Sequence, residues 1–138
     1  MRKWADKAKV GVDRVIRASA LDITTAAIKR TPVGNPTLWK SKPPVGYVGG
    51  QACGNWFASI NTPNTKSTNA IDKDGAATIA NAQAAIEDAP GNILYITNNL
   101  PYIFRLEYQG WSTQAPVGMV RVSVLEFNNA LSKAIGEL

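Results

Sequence analysis

An α+β fold, with a long N-terminal helix and a C-terminal helix packed on a small, mainly antiparallel β-sheet, is predicted by three observations. Apolar residues recur at three- and four-residue steps at both ends of the chain. Two short β-prone runs lie between them, and stretches rich in proline, glycine and asparagine separate the runs.

The first helix is read from Trp4, Ala8, Val12, Val15, Ile16, Ser19, Ile23, Ala26, Ala27 and Ile28, with charged residues filling the other positions. Thr31 and Pro32 supply the stop, because a residue before proline is biased away from helical geometry. The spacing predicts a helix from about Lys3 to Arg30. At ~1.5 Å per residue it spans roughly 40 Å, more than a small domain needs to cover its core, so part of it is expected to project.

Residues 31–50 contain four prolines and four glycines, with Asn35 adding another turn former. Neither a helix nor a central strand tolerates that content, which leaves an extended loop carrying Trp39, Lys40, Lys42 and Tyr47. Its alternatives are a docking arm and a plain linker. Residues 51–60, QACGNWFASI, alternate like a half-buried strand, and residues 61–75 form a polar turn. The alanine-rich stretch 76–89 reads as a short amphipathic helix ended by Pro90 and Gly91. Ile93 to Ile96 is a β-prone run closing on Thr97, Asn98 and Asn99. Pro101 opens a brief helical turn ended by Gly110, and a loop around Pro116 follows. Val120, Val124, Phe127, Leu131 and Ile135 then define the terminal helix. Room remains for further strands near 44–50 and 112–118.

A chain of 138 residues fits one domain, 1–138. No apolar run approaches the roughly eighteen residues of a transmembrane helix, so a soluble protein with no membrane partner is expected. The basic start MRKWADKAKVGVDRVIR has no apolar core of the secretory type, and synthesis in a cytoplasm follows as an expectation. Charge is unevenly spread: residues 1–42 hold ten Lys or Arg against three Asp, net +7, whereas residues 43–138 are net −2. The basic patch of Lys3, Lys7, Lys9, Arg14 and Arg17 suits an acidic partner, nucleic acid, or simply solvent.

Reactive groups are sparse. The chain has no histidine, the commonest general base and metal ligand, and its single Cys53 reads as a small packing residue. Asp72 with Asp74 and Glu87 with Asp88 are close carboxylate pairs, but both sit at predicted turns or helix ends, where acids cap. A calcium loop with Gly75 at its sixth position puts Ala70 first and Asn81 twelfth, which removes the bidentate acid. Glycine-rich phosphate cradles are absent. No catalytic, cofactor-binding or metal-binding residue is therefore assigned, and a non-enzymatic role is expected. The densest chemical signal is instead aromatic: Tyr95, Tyr102, Phe104, Tyr108 and Trp111 fall within seventeen residues of a chain that is only 8% aromatic.

The runs YITNNLPYIFRLEYQGWSTQAP (95–116) and GMVRVSVLEFNNAL (118–131) resemble the C-terminal half of the neck or tail-completion family of long-tailed bacteriophages, the minor tail protein Z-like proteins. The basic helix ending in KRTPVGNP, followed by GNWFASI, is similar to that family's helix, turn and strand. Gly34, Asn35 and Pro36 stand where the family carries a threonine-glycine pair, and residues 61–75 match least. The resemblance implies a virion component at the head-proximal end of the tail, made in the host cytoplasm. It would cap the tail tube and help join it to the capsid as a ring, commonly sixfold. Its partners would be further copies of itself, the tail tube protein and head–tail connector proteins, with genomic DNA passing nearby.

Arg105, Glu107, Tyr108, Trp111 and Gln114, with Trp39 and Tyr47, are the expected subunit-contact residues, since such mixtures of aromatic and polar groups favour interfaces. The competing expectation is that Tyr108 and Trp111 close the domain core. A small basic nucleic-acid-binding protein using the N-terminal helix is the alternative function.

Overall fold

In the computed structural model, residues 2–34, 45 and 48–136 are described, with the backbone alone for 2–6, 8, 131 and 133–136. Trp39 and Tyr47 lie outside the described residues, and only the backbone of Lys3 lies within them.

Helix α1 spans Arg2–Arg30. Lys29 and Arg30 in its last turn oppose the negative end of the helix dipole. Thr31 ends it by donating its hydroxyl to the Ala27 carbonyl at 2.8 Å and its N–H to that of Ile28 at 3.1 Å. Pro32 then lacks the N–H needed to continue. In the C-terminal half of α1, Thr24, Ala27 and Ile28 are buried. The N-terminal half is different: between Lys7 and Ile16 every described side chain is exposed except the half-buried Asp13. The helix does project, as its length implies.

Two strands, β1 (Trp56–Ile60) and β2 (Leu94–Asn98), pair antiparallel with Trp56 opposite Asn98 and Ile60 opposite Leu94. Helix α2 (Ala76–Ile86) packs between β1 and α1, α3 is the short helix Ile103–Tyr108, and α4 (Val120–Gly136) packs on α1. Ile28, Cys53, Trp56, Leu100, Leu106 and Met119 form the centre of the core. Trp56 contributes its ring to that core and satisfies its indole N–H with the Thr31 hydroxyl at 2.8 Å. The end of α1, the start of β1 and the core are thereby joined at one point. Gly75, at φ 78°, lets α2 begin against α1, because a Cβ there would sit 2.6 Å from Ile28 Cγ2.

Several expected boundaries move. The strand expected over 51–60 begins only at Trp56, because Cys53–Asn55 winds into a 3-10 turn. Asn55 drives this. It is buried, donates to the Gln51 and Thr68 carbonyls at 2.7 and 2.9 Å, and accepts the Thr68 N–H at 2.8 Å. The helix expected to reach Ala89 ends at Ile86, and the second strand runs to Asn98, past the expected Ile96. Residues 112–118 form turns, with the Ala115 and Gly118 N–H groups bonded three residues back, so no strand forms there. The described part of 44–50 holds none either.

Gly11 lies in the projecting half of α1, and a Cβ there would meet nothing within 4 Å. Gly11→Ala is expected to stabilise that half by about 0.5–1 kcal/mol of helix propensity, read as more negative far-ultraviolet ellipticity. Unchanged helicity would contradict a helix running intact through this position.

Candidate assembly surface

Leu100 and Pro101 lead into α3, which begins at the half-buried Ile103. Leu106 and Glu107 are buried, while Phe104, Arg105 and Tyr108 face solvent. Phe104 and Tyr108, one helical turn apart, stand with ring centroids 4.9 Å apart. Gly110 turns the chain at φ 59° and brings Trp111 beside α3, where the Arg105 guanidinium lies 4.4 Å from its ring centroid. Arg121, from the first turn of α4, lies 4.6 Å from the Tyr108 centroid. Each ring is thus paired with a cation, an arrangement that holds both side chains in defined positions. Tyr108 is 56% exposed and Trp111 60%, so neither closes the domain core. A shallow groove of about 260 Å³ runs beside them, lined by Trp56, Ile103, Phe104, Tyr108 and Val120.

Glu107 corrects the expected set. It is 7% exposed and points inward, where Oε2 accepts the N–H groups of Met119 and Val120 at 2.7 and 3.1 Å. Oε1 accepts the Arg121 N–H at 3.0 Å and its Nε at 3.3 Å, while Arg121 Nη2 bonds the Glu107 carbonyl oxygen. One carboxylate therefore caps the first turn of α4 and anchors the arginine that covers Tyr108. Burial pushes its pKa up. The N–H groups of Arg121, Met119 and Val120 and the Arg121 side chain outweigh burial and hold it below the ordinary glutamate value. Gly118, at φ 93°, makes the approach possible, since a Cβ would come within 2.6 Å of the Glu107 carbonyl oxygen.

Gln114 stays exposed but bonds within the chain. Its Nε2 donates to the Val33 carbonyl and its Oε1 accepts the Val33 N–H, both at 3.0 Å, tying the 112–118 loop to the segment after α1. Arg105, Tyr108, Trp111 and the exposed Gln114 thus remain at the surface, joined by Phe104 and Arg121. The i, i+4 spacing of Phe104 and Tyr108 was the available signal for the former. For Glu107 the signal was the start of α4, which has no acidic residue in its first turn and so takes its cap from elsewhere.

Lys7, Lys9 and Arg14 are exposed on the projecting half of α1. Arg17 marks the edge of the domain: its Nε donates to the Glu87 carbonyl at 3.0 Å and faces the Glu87 carboxylate at 3.7 Å. Asp72 and Asp74 cap α2, Asp72 accepting both the N–H and the hydroxyl of Thr78 and Asp74 accepting the Ala76 N–H. Burial raises the Asp72 pKa, but the bonds from Thr78, Asp74 and Gly75 bring it below the usual value. Cys53 is buried with its thiol directed at the Ile28 carbonyl. Burial first, and then Asp72 and Asp74, push it up to about 11, so it is a packing thiol at neutral pH. Among the described residues no group of three or more His, Cys, Asp or Glu is placed to hold a metal ion. Among the described residues no helix is long and apolar enough to cross a membrane. Comparison with protein-family models, curated proteins and solved structures finds no match to this chain.

Glu107→Gln keeps the shape but loses the charge that faces three N–H groups and a guanidinium, and is expected to cost about 2 kcal/mol of unfolding free energy. The pH dependence has a definite sign. With the folded pKa below that of free glutamate, about 4.3, the carboxylate's contribution is complete above that pH and is lost as the pH falls through the lower folded value. Urea denaturation of both proteins at neutral and acid pH should show the difference shrinking with acidification; a constant difference would contradict it.

Proposed function

We propose that this chain is a structural, ring-forming subunit, and that its ring belongs to the neck of a long-tailed bacteriophage. There it would complete or cap the tail tube and help join it to the capsid. The observation that supports assembly is the separation of two unlike exposed surfaces. The groove and rings around α3 adjoin Trp56, which is bonded to Thr31 at the C-terminal end of α1. The exposed Val12, Val15 and Ile16 lie on the projecting N-terminal half. About fifteen helical residues, roughly 22 Å, separate the two ends. A closed ring needs two different surfaces on each subunit, and this layout supplies them.

The neck assignment rests on the sequence resemblance over 95–116 and 118–131, which also implies sixfold symmetry and contact with tail tube and connector proteins. Arg, Tyr and Trp are the residue types that dominate binding energy at such contacts. The alternative, nucleic-acid binding through α1, draws on the exposure of Lys7, Lys9 and Arg14. It predicts duplex binding that weakens steeply with salt. Val12, Val15 and Ile16, exposed on another face of the same half, are groups a phosphate backbone does not use.

Imaging of virions with this subunit labelled is expected to place a ring at the head-proximal end of the tail. In isolation, Trp111→Ala and Arg105→Ala should keep the wild-type melting temperature within about 2–4 °C, as surface substitutions do, and lose ring assembly. Unchanged assembly with a much lower melting temperature would return these side chains to a role within the fold.

A further inference from the structure

The two ends of the folded domain carry opposite charge, and each exposes an apolar feature beside it. Helix α2 runs antiparallel to the second half of α1: Gly75, before its first turn, lies against Ile28, and Glu87, just past its end, bonds Arg17. The turn from Asp88 to Ile93 carries the chain from that end into β2, and β2 finishes at Asn98, which lines the α3 groove. The groove also holds Trp56, bonded to Thr31 at the other end of α1. From Arg17 to Arg30, at ~1.5 Å per residue, the two ends stand roughly 20 Å apart.

The end beside Arg17 is acidic. Glu87 and Asp88 are exposed there, and Ile93 is 61% exposed. The Asn92 amide, donating to the Asp88 carbonyl at 2.8 Å, holds the turn that brings Ile93 to them. The sequence has no lysine or arginine between Lys73 and Arg105, and α2 has no basic residue in its last turn. Both carboxylates therefore stand at the negative end of a helix dipole. Among the described residues their one ion pair is that of Glu87 with Arg17, at 3.7 Å.

At the groove the sign is reversed. Arg121 lines it and is exposed, Arg105 is held over Trp111, and the exposed Lys66 sits at the same end, its carbonyl bonded by Asn99. Glu107 is the sole carboxylate from Tyr95 to Leu125, and it is turned inward onto α4. Charge then chooses among the apolar groups that a second copy could offer to this groove. Val12, Val15 and Ile16 come on a helix half with exposed Lys7, Lys9 and Arg14, the same sign as the groove. Ile71 comes with Lys73 close behind it. Ile93 comes with Glu87 and Asp88.

We propose that the α3 groove of one copy receives Ile93 of a second copy, with Glu87 and Asp88 set against the cations around the groove. This rests on the ring reading and names the contact that builds it. Knob and groove lie at opposite ends of the domain, so each added copy leaves one of each open until a ring closes.

The test is sedimentation equilibrium of the full chain. Wild-type protein is expected to assemble beyond a dimer of the 14.8 kDa chain as concentration rises. Ile93→Asp should raise the dissociation constant by more than about a hundredfold, because a carboxylate would be buried against apolar groups. Asp88→Lys and Arg105→Glu should each weaken assembly by about tenfold, and the two together should recover most of it. Circular dichroism and the melting temperature report whether each variant stays folded, and all three positions are exposed. In a second arm, Ile93→Cys with Phe104→Cys should oxidise to a ladder of linked copies longer than two, with the native Cys53 buried away from the reaction. Assembly indifferent to Ile93→Asp, or not recovered by the charge exchange, overturns this contact and leaves the ring reading standing. A chain that is monomeric at all concentrations and gives no ladder also overturns the contact, while the ring reading is decided by labelled virions. A ladder from a chain whose label is missing from the virion neck overturns the neck reading and leaves the contact intact.

Discussion

The carboxylate of Glu107, held against the first turn of α4, is the contact on which the outer surface depends. A helix start leaves N–H groups without intrahelical partners, and α4 provides no acidic side chain of its own in that turn. Glu107 reaches it from α3 and meets the N–H groups of Met119, Val120 and Arg121. Because Met119 is fully buried in the core, the same contact sets how α3 lies on the domain. Because Arg121 extends back over Tyr108, it also sets where the outward rings stand. An inward-facing acid thus positions an outward-facing surface without belonging to it.

The other organising element is α1, which serves the domain with one half and leaves it with the other. Its C-terminal half supplies Ala27 and Ile28 to the core and, through Thr31, the acceptor for Trp56. Its N-terminal half makes no such contacts and retains an apolar stripe between basic residues. Exposed valines in one place are costly to leave in water, at about 25 cal/mol per Å² of apolar area. The α3 surface is differently built, from rings stacked with guanidinium groups and set beside a shallow groove. Two unlike exposed surfaces therefore lie toward the two ends of α1.

Most of the fold was legible from local pattern. The apolar steps of α1 and α4, the alanine-rich α2 and the β-prone runs all became the expected elements, because each depends on residues a few positions apart. What local pattern could not show were contacts made across the chain. The 3-10 turn at Cys53–Asn55 follows from Asn55 bonding Thr68, thirteen residues on. Gln114 is exposed, and its tie to Val33, eighty-one residues away, leaves no local mark. Glu107 looked like a surface acid for the same reason: nothing in IFRLEY shows that a helix start crosses it. Tyr108, Trp111 and Arg105 lie together on the exposed side of α3, while their separation from Glu107 required knowing which side of α3 faces inward.

The most direct measurement is amide hydrogen exchange resolved at Met119, Val120 and Arg121. An ordinary exposed helix start exchanges these groups rapidly, whereas here all three are bonded to a buried carboxylate. All three are expected to exchange as slowly as the Ser123 amide, which is bonded within the helix to the Met119 carbonyl. Rapid exchange at the three positions, with Ser123 protected, would show that Glu107 does not hold the start of α4.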